Sequence, residues 1–203
     1  MGYLEKKRNA MMNSISAEPP QPPLPSEYQA VEWIQSTGTQ YFVVPRVATL
    51  ETELIIDGNF LGNGRFGYQR QSRFYLGVVS GKWACGIFGM TYYHNLGDYD
   101  QNRHMFSISK NGFYIDDVLK TTTSETSIDP QNLFYFASNF SGQPQYLATA
   151  KVYNIKLKED GVDVVNLIPC YRIADDVIGM YDVVNDVFYT NQGTGTFLKG
   201  GDV

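Results

Sequence analysis

Lys151-Val-Tyr-Asn-Ile-Lys-Leu157 opens, and Tyr189-Thr-Asn-Gln-Gly-Thr-Gly-Thr-Phe197 closes, the segment whose reading decides the fold. Between them, apolar and aromatic runs are broken by two-residue turn signals. Asp160-Gly161 separates 148–158 from 162–168, and Asn185-Asp186 turns Gly179-Met-Tyr-Asp-Val-Val184 back onto Val187-Phe-Tyr-Thr190. Asn, Asp and Gly tolerate the positive φ that such hairpins require. Gly193 and Gly195 frame Thr194, which suits a tight reversal before a last strand at 196–199. The segment reads as the closing hairpins of a β-sandwich and holds no catalytic constellation. Within 148–157 both parities are largely apolar, so the inner face of that strand stays open.

The same signals continue upstream. Asn111-Gly112 sits between 105–110 and 113–116, where Phe106 and Ile108 alternate with Ser107 and Ser109 as in a sheet with one wet face. Further strand candidates are 40–44, 51–57, 73–79, 82–88, 91–94 and 133–137. The chain carries 15 Tyr, 12 Phe and 19 Gly, a balance that favours β over helical packing. About a dozen short strands with hairpin turns and no long helical period define an all-β sandwich or jelly roll.

Charge and length exclude several classes. A formal charge of −5 over 203 residues argues against a general nucleic-acid binder, which needs a basic surface. No apolar run approaches the roughly 20 residues that span a bilayer. The basic start, Met1-Gly-Tyr-Leu-Glu-Lys-Lys-Arg8, has no apolar stretch behind it and is not a secretory signal, so folding in a cytoplasm is expected. Cys85 and Cys170 read as two buried small apolar groups rather than a disulfide framework.

Ahead of the sandwich (28–203) lie two shorter parts. Pro19-Pro-Gln-Pro-Pro-Leu-Pro25 dominates a Pro-rich linker, 19–27, that favours extended polyproline II and acts as a semi-rigid spacer. Residues 1–18 form a helical or extended anchor segment. There Tyr3, Leu4, Lys6, Lys7, Arg8, Met11 and Met12 are the candidate partner-anchoring residues, because adaptable Met side chains and a basic cluster suit a docking groove. A helix of about three turns is marginal alone.

Glu32-Trp-Ile-Gln-Ser-Thr-Gly-Thr-Gln-Tyr41 resembles the opening of a LamG-like, concanavalin A-like lectin domain common in phage virion proteins and bacterial surface proteins. That domain type ends with elements similar to 151–157, Leu167-Ile-Pro-Cys-Tyr-Arg172, Gly179-Met-Tyr-Asp182 and 188–197. The likeness covers roughly 28–200 and is most specific at its two ends. It implies a two-sheet antiparallel jelly roll, non-enzymatic and often carbohydrate-binding or adhesive. With the tether it implies a virion structural protein, multicopy or homo-oligomeric, docked to other virion proteins through 1–27 and facing host-surface carbohydrate. A bacterial carbohydrate-binding or cell-surface adhesion module is the alternative. Trp33, Tyr153, Tyr171, Tyr181, Phe188 and Phe197 are expected in the core, each contributing about 2 kcal/mol by burial.

Candidate chemistry is sparse. Glycosidases on this fold need paired carboxylates. Glu51, Glu53 and Asp57 share a parity, but the family's Glu-x-Asp-x-(x)-Glu spacing is absent, so they read as surface charges. His94 and His104 lack ligands at zinc spacing. The resemblance implies occasional calcium at loop tips, for which Asp98, Asp100, Asp116, Asp117, Asp175 and Asp176 are the candidates, without a recognisable loop motif. The richest aromatic and polar stretch is 92–103. Tyr92, Tyr93, Asn95, Asp98, Tyr99 and Asn102 are the candidate glycan-binding residues, with rings to stack on sugars and amides or carboxylates to meet hydroxyls.

Overall fold

A computed structural model describes residues 23–203. The anchoring candidates Tyr3 to Met12 and residues 19–22 of the linker lie outside the described residues. In chain order the strands are β1 (Tyr28–Ala30), β2 (Ile34–Thr37), β3 (Phe42–Val47), β4 (Thr52–Phe60), β5 (Gly64–Gln69) and β6 (Arg73–Val79). There follow β7 (Lys82–Gly89), β8 (His104–Ser109), β9 (Gly112–Ile115), β10 (Val118–Thr121), β11 (Asn132–Tyr135) and β12 (Ser138–Phe140). The last are β13 (Gln143–Gln145), β14 (Thr149–Glu159), β15 (Val162–Arg172), β16 (Val177–Asp182), β17 (Val187–Thr190) and β18 (Leu198–Lys199). No helix occurs among the described residues.

These strands build two sheets in a sandwich. The larger has eleven strands, ordered β10-β9-β8-β4-β14-β15-β16-β17, with β1 on β15, β2 on β14 and β18 on β2. The smaller has seven, with β5 joined to β6 on one side and to β11 and β12 on the other. Pairing is antiparallel throughout except between β5 and β12, which run parallel. The core lies between the sheets, where Leu54, Ile56, Phe106, Ile108, Val152, Ile155 and Leu157 of the larger meet Phe42, Phe66, Phe74, Leu76 and Leu133 of the smaller.

The expected hairpins form at Asn111-Gly112, Asp160-Gly161 and Asn185-Asp186, with Asp160, Gly161 and Asp186 at positive φ. A fourth tight turn, Asp116-Asp117, joins β9 to β10 with φ of 50° and 61°. The inner face of β14 is now assigned. Ala150, Val152, Ile155 and Leu157 point inward, and a register shift between Val152 and Asn154 switches parity midway. That bulge is why both parities read as apolar in the sequence.

The segments around Gln40 and Asn191, far apart in the chain, interlock. The buried Gln40 side chain accepts hydrogen bonds from the Thr37 N–H (2.8 Å) and Ser36 hydroxyl (3.1 Å), fixing the loop around Gly38. Asn191 Oδ1 accepts from the Tyr41 N–H (3.1 Å), while the Gln192 and Thr194 N–H groups donate to Tyr41 and Thr39 carbonyls (2.8 and 3.1 Å). Gly193 sits so close that a Cβ there would lie 2.0 Å from the Thr39 carbonyl oxygen. In the Tyr181-Asp182 pair, the fully buried Asp182 carboxylate accepts from the Asn166 and Val184 N–H groups and from Asn185 Nδ2 (3.1, 3.0 and 2.7 Å).

Two expectations need correction. The 91–94 stretch is not a strand; only Tyr93 bridges, to Cys85. Of the aromatic residues expected inside, Phe197 joins the core, Tyr181 is buried and Tyr171 packs half-buried against it. Trp33, Tyr153 and Phe188 stay outside the core cluster, each under a cation: Lys151, Arg103 and Arg172 at 4.0, 3.7 and 5.8 Å from the ring centres. Their parity turns them away from the core, and the alkyl stems of the cations shield them from water.

Candidate functional site

The outward face of the smaller sheet carries the most developed pocket chemistry. On β5, Phe66 enters the core while Arg65, Gly67 and Gln69 point the other way. On β6, Phe74 and Leu76 enter the core while Arg73 and Tyr75 share that outward face. Such an outward face is usually wet, yet all six residues of β5 are buried. The loop after β7 and the segment around β12–β13 close over them, bringing Tyr92, Phe140 and Tyr146.

Together Arg65, Gln69, Arg70, Arg73, Tyr75, Tyr92, Phe140 and Tyr146 line a pocket of about 260 Å³. That is just under the roughly 300–1,000 Å³ of sites for drug-sized ligands, and suits one small ring. The Arg65 guanidinium lies 4.0, 4.7 and 5.5 Å from the ring centres of Tyr146, Tyr75 and Tyr92. Its Nη1 donates to Gln69 Oε1, and Arg73 Nη1 donates to the Met90 carbonyl. Burial pushes the Tyr75 phenol well above its ordinary pKa even against the Arg65 charge, so it stays a neutral hydroxyl. Gly86 makes room for it: a Cβ there would lie 2.4 Å from Arg73 Cβ and 2.9 Å from the Tyr75 ring. Phe140 and Tyr146 remain 40% and 51% exposed, offering ring faces at the mouth. No Asp, Glu, His, Cys, Ser or Thr is among these eight; the polar groups offered are three guanidinium groups, one amide and three phenol hydroxyls.

The glycan candidates named from the sequence do not converge on this pocket. Tyr92 lines it and stacks on His94 with ring centres 4.9 Å apart. Tyr93 and Tyr99 turn inward, half-buried against the core, Tyr99 edge-on to Trp83 at 5.9 Å. Asp98 is paired with Lys82, Asn95 takes a left-handed turn conformation (φ 62°), and the Asn102 N–H donates to Asp100. The aromatic spacing was legible, but which rings face outward depends on how the loop packs.

The calcium candidates are dispersed. His104 joins Asp100 and Asp116, with Nε2 2.9 Å and Nδ1 2.6 Å from their carboxylates. Asp117 and Asp176 occupy left-handed turn positions, and Asp175 is held by Arg172 at 2.6 and 3.0 Å. Among the described residues no group of three or more His, Cys, Asp or Glu side chains is placed to hold a metal ion. Of the three strand acids, Glu51 pairs with Lys110 and Asp57 accepts both Arg103 Nε and Nη2 (2.7 and 2.5 Å). Cys85 and Cys170 are free and buried, and burial pushes Cys170 up to about 12 and Cys85 higher still.

A second concavity, about 1,220 Å³, runs along the outward face of the larger sheet. Trp33, Tyr153, Asp57 and Arg103 line it together with Pro23 and Leu24, the first described residues. Its charged lining comprises Glu32, Asp57, Arg103, Lys156 and Lys158, of which Arg103 is held by Asp57.

Comparison with protein families, with curated proteins and with solved structures finds no match to this chain. The pocket residues on β5 and β6 escaped the sequence reading. Gly64-Arg-Phe-Gly-Tyr-Gln69 holds two glycines, one of them at the outward position 67 between Arg65 and Gln69, which masks a strand. The available signal was the alternation in 65–69 and 73–76 of Arg, Gly, Gln or Tyr with Phe, Tyr and Leu.

Proposed function

We propose that the chain is a non-enzymatic glycan-binding module of a phage virion. On this reading it is a LamG-like jelly roll displayed on the particle, with residues 1–27 docked to other virion proteins. The observation that carries the binding half is the pocket of Arg65, Tyr75, Tyr92 and Tyr146 with its exposed rings. Sugars are recognised by this combination: a ring face that covers the apolar side of a pyranose, and fixed polar groups that meet its hydroxyls.

The attachment half is supported by the arrangement of faces. Pro23 and Leu24 lie on the outward face of the larger sheet, whereas the pocket opens on the outward face of the smaller one. A particle holding the domain by the segment before Pro23 would leave the pocket turned away from itself. Many copies would then combine weak single contacts into useful avidity.

Binding of the full chain to an immobilised glycan panel tests the reading. Selective retention by a subset of sugars is expected, and Tyr146→Ala should reduce it by about tenfold, the loss of one stacked ring. Absence of binding to every sugar, or binding indifferent to Tyr146, would refute it.

A further inference from the structure

We propose that this pocket selects an acidic sugar, its carboxylate held by the Arg65, Arg70 and Arg73 cluster and its ring by Tyr146. The inference rests on the glycan reading above and adds the ligand's charge to it.

The chain is acidic overall, with a formal charge of −5, yet three of its 16 Lys and Arg residues line one small pocket whose eight lining residues include no acid. Arg65 is only 8% exposed. A guanidinium taken out of water needs a counter-charge or a full set of acceptors, because desolvation otherwise costs several kcal/mol, on the order of the whole net contribution of a few hydrogen bonds. Here it has one amide acceptor, Gln69, and three tyrosine faces; its Nε has no hydrogen-bond partner among the described residues. The hydroxyls of Tyr75 and Tyr92 are likewise buried without a partner among the described residues.

The surrounding charges sharpen the point. Glu125 is an acid whose charge is coupled to Arg73; its carboxylate accepts from the Thr91 hydroxyl, the main reason its pKa is lowered, and it stays ionised outside the pocket lining. Arg73 gives one donor to a backbone carbonyl, which carries no net charge. The pocket itself is therefore lined by three guanidinium groups and no carboxylate, with Glu125 offsetting part of the Arg73 charge from outside the lining, and it stays net positive beside unpaired hydroxyls. A carboxylate on a six-membered ring answers both: its oxygens fit the arginine fork, and the ring hydroxyls meet the tyrosines. A neutral sugar supplies only the second, leaving the cation as poorly paired as before. That difference is the source of selection.

The test is calorimetric titration of the full-length chain with uronate and sialate oligosaccharides, each matched to its carboxyl-reduced neutral counterpart, and with inorganic sulfate. At least one acidic member should bind about tenfold or more tighter than its reduced partner, as expected for a charge-assisted hydrogen bond. Added salt should narrow the gap. Arg70→Gln, on an exposed side chain where folding is not at stake, should narrow it too, and Arg70→Lys should narrow it less. Equal affinity for every acidic and reduced pair would overturn acidic selection and leave the glycan reading standing. Binding of no sugar would overturn both. Sulfate binding as tightly as the best acidic sugar would reduce the pocket to a simple anion site and overturn the proposal.

Discussion

His104 illustrates how single side chains hold this fold. Burial alone would lower its pKa, but hydrogen bonds to Asp116 and Asp100 outweigh that, and the net shift is upward from 6.5. A proton held more tightly in the folded state stabilises that state fully below the ordinary value and ceases to do so as pH rises through the folded value. The two carboxylates behave in the opposite sense. Both are lowered from 3.8, Asp100 chiefly by its hydrogen bond to His104 Nε2. For Asp116, burial acts the other way and is outweighed by its own hydrogen bond to His104 Nδ1 together with a bond from the Met105 N–H. Their contribution is present above that value and fades as pH falls below it. Urea unfolding of the native chain should therefore show stability declining as pH rises above about 6.5, a component that His104→Gln removes. An unchanged slope in that variant would mean another group sets the dependence.

At the scale of elements, β6 and β7 set the position of the pocket floor. Tyr75 pairs with Gly67 on one side and Gly86 on the other, so its ring lies between two strands that lend it no side chains. Gly86→Ala should cost about 1–3 kcal/mol in chemical denaturation, because the methyl group meets Arg73 Cβ and the Tyr75 ring. Glycan affinity should fall with it as Tyr75 is displaced. The hairpin turns were readable in advance since Asn-Gly, Asp-Gly and Asn-Asp are chemically suited to positive φ and little else. β5 was not, because its outward residues are buried by loops distant in sequence rather than by a local pattern. The 91–94 stretch misled for the converse reason: its Thr and Tyr residues suit a strand, but only Tyr93 finds a backbone partner, in Cys85. Trp33, Tyr153 and Phe188 were legible as large apolar groups, whereas the cations over their rings come from elsewhere in the chain: Lys151 from β14, Arg103 from the segment before β8 and Arg172 from β15. Thus the sandwich was readable from turns and alternation, and the site was not, since it is assembled from β5, β6 and two crossing loops.

For the molecule as a whole, the opposed faces make a prediction separable from sugar binding. A chain lacking residues 1–27 should fold and retain glycan affinity, yet fail to enter particles when it replaces the full chain during assembly. Normal incorporation of the truncated chain would remove the attachment role. The interlocked loops around Gln40 and Asn191 have a consequence for biogenesis. β2 lies between β14 and β18, so Ile34–Thr37 pairs with residues more than a hundred positions downstream. High contact order of this kind slows folding, since a long loop must close before its contacts repay the lost entropy. On the ribosome, β2 emerges early and waits with open hydrogen-bonding edges. The sheet can be completed only after Leu198 and Lys199 have left the exit tunnel, which leaves β2 exposed until then to chaperone capture.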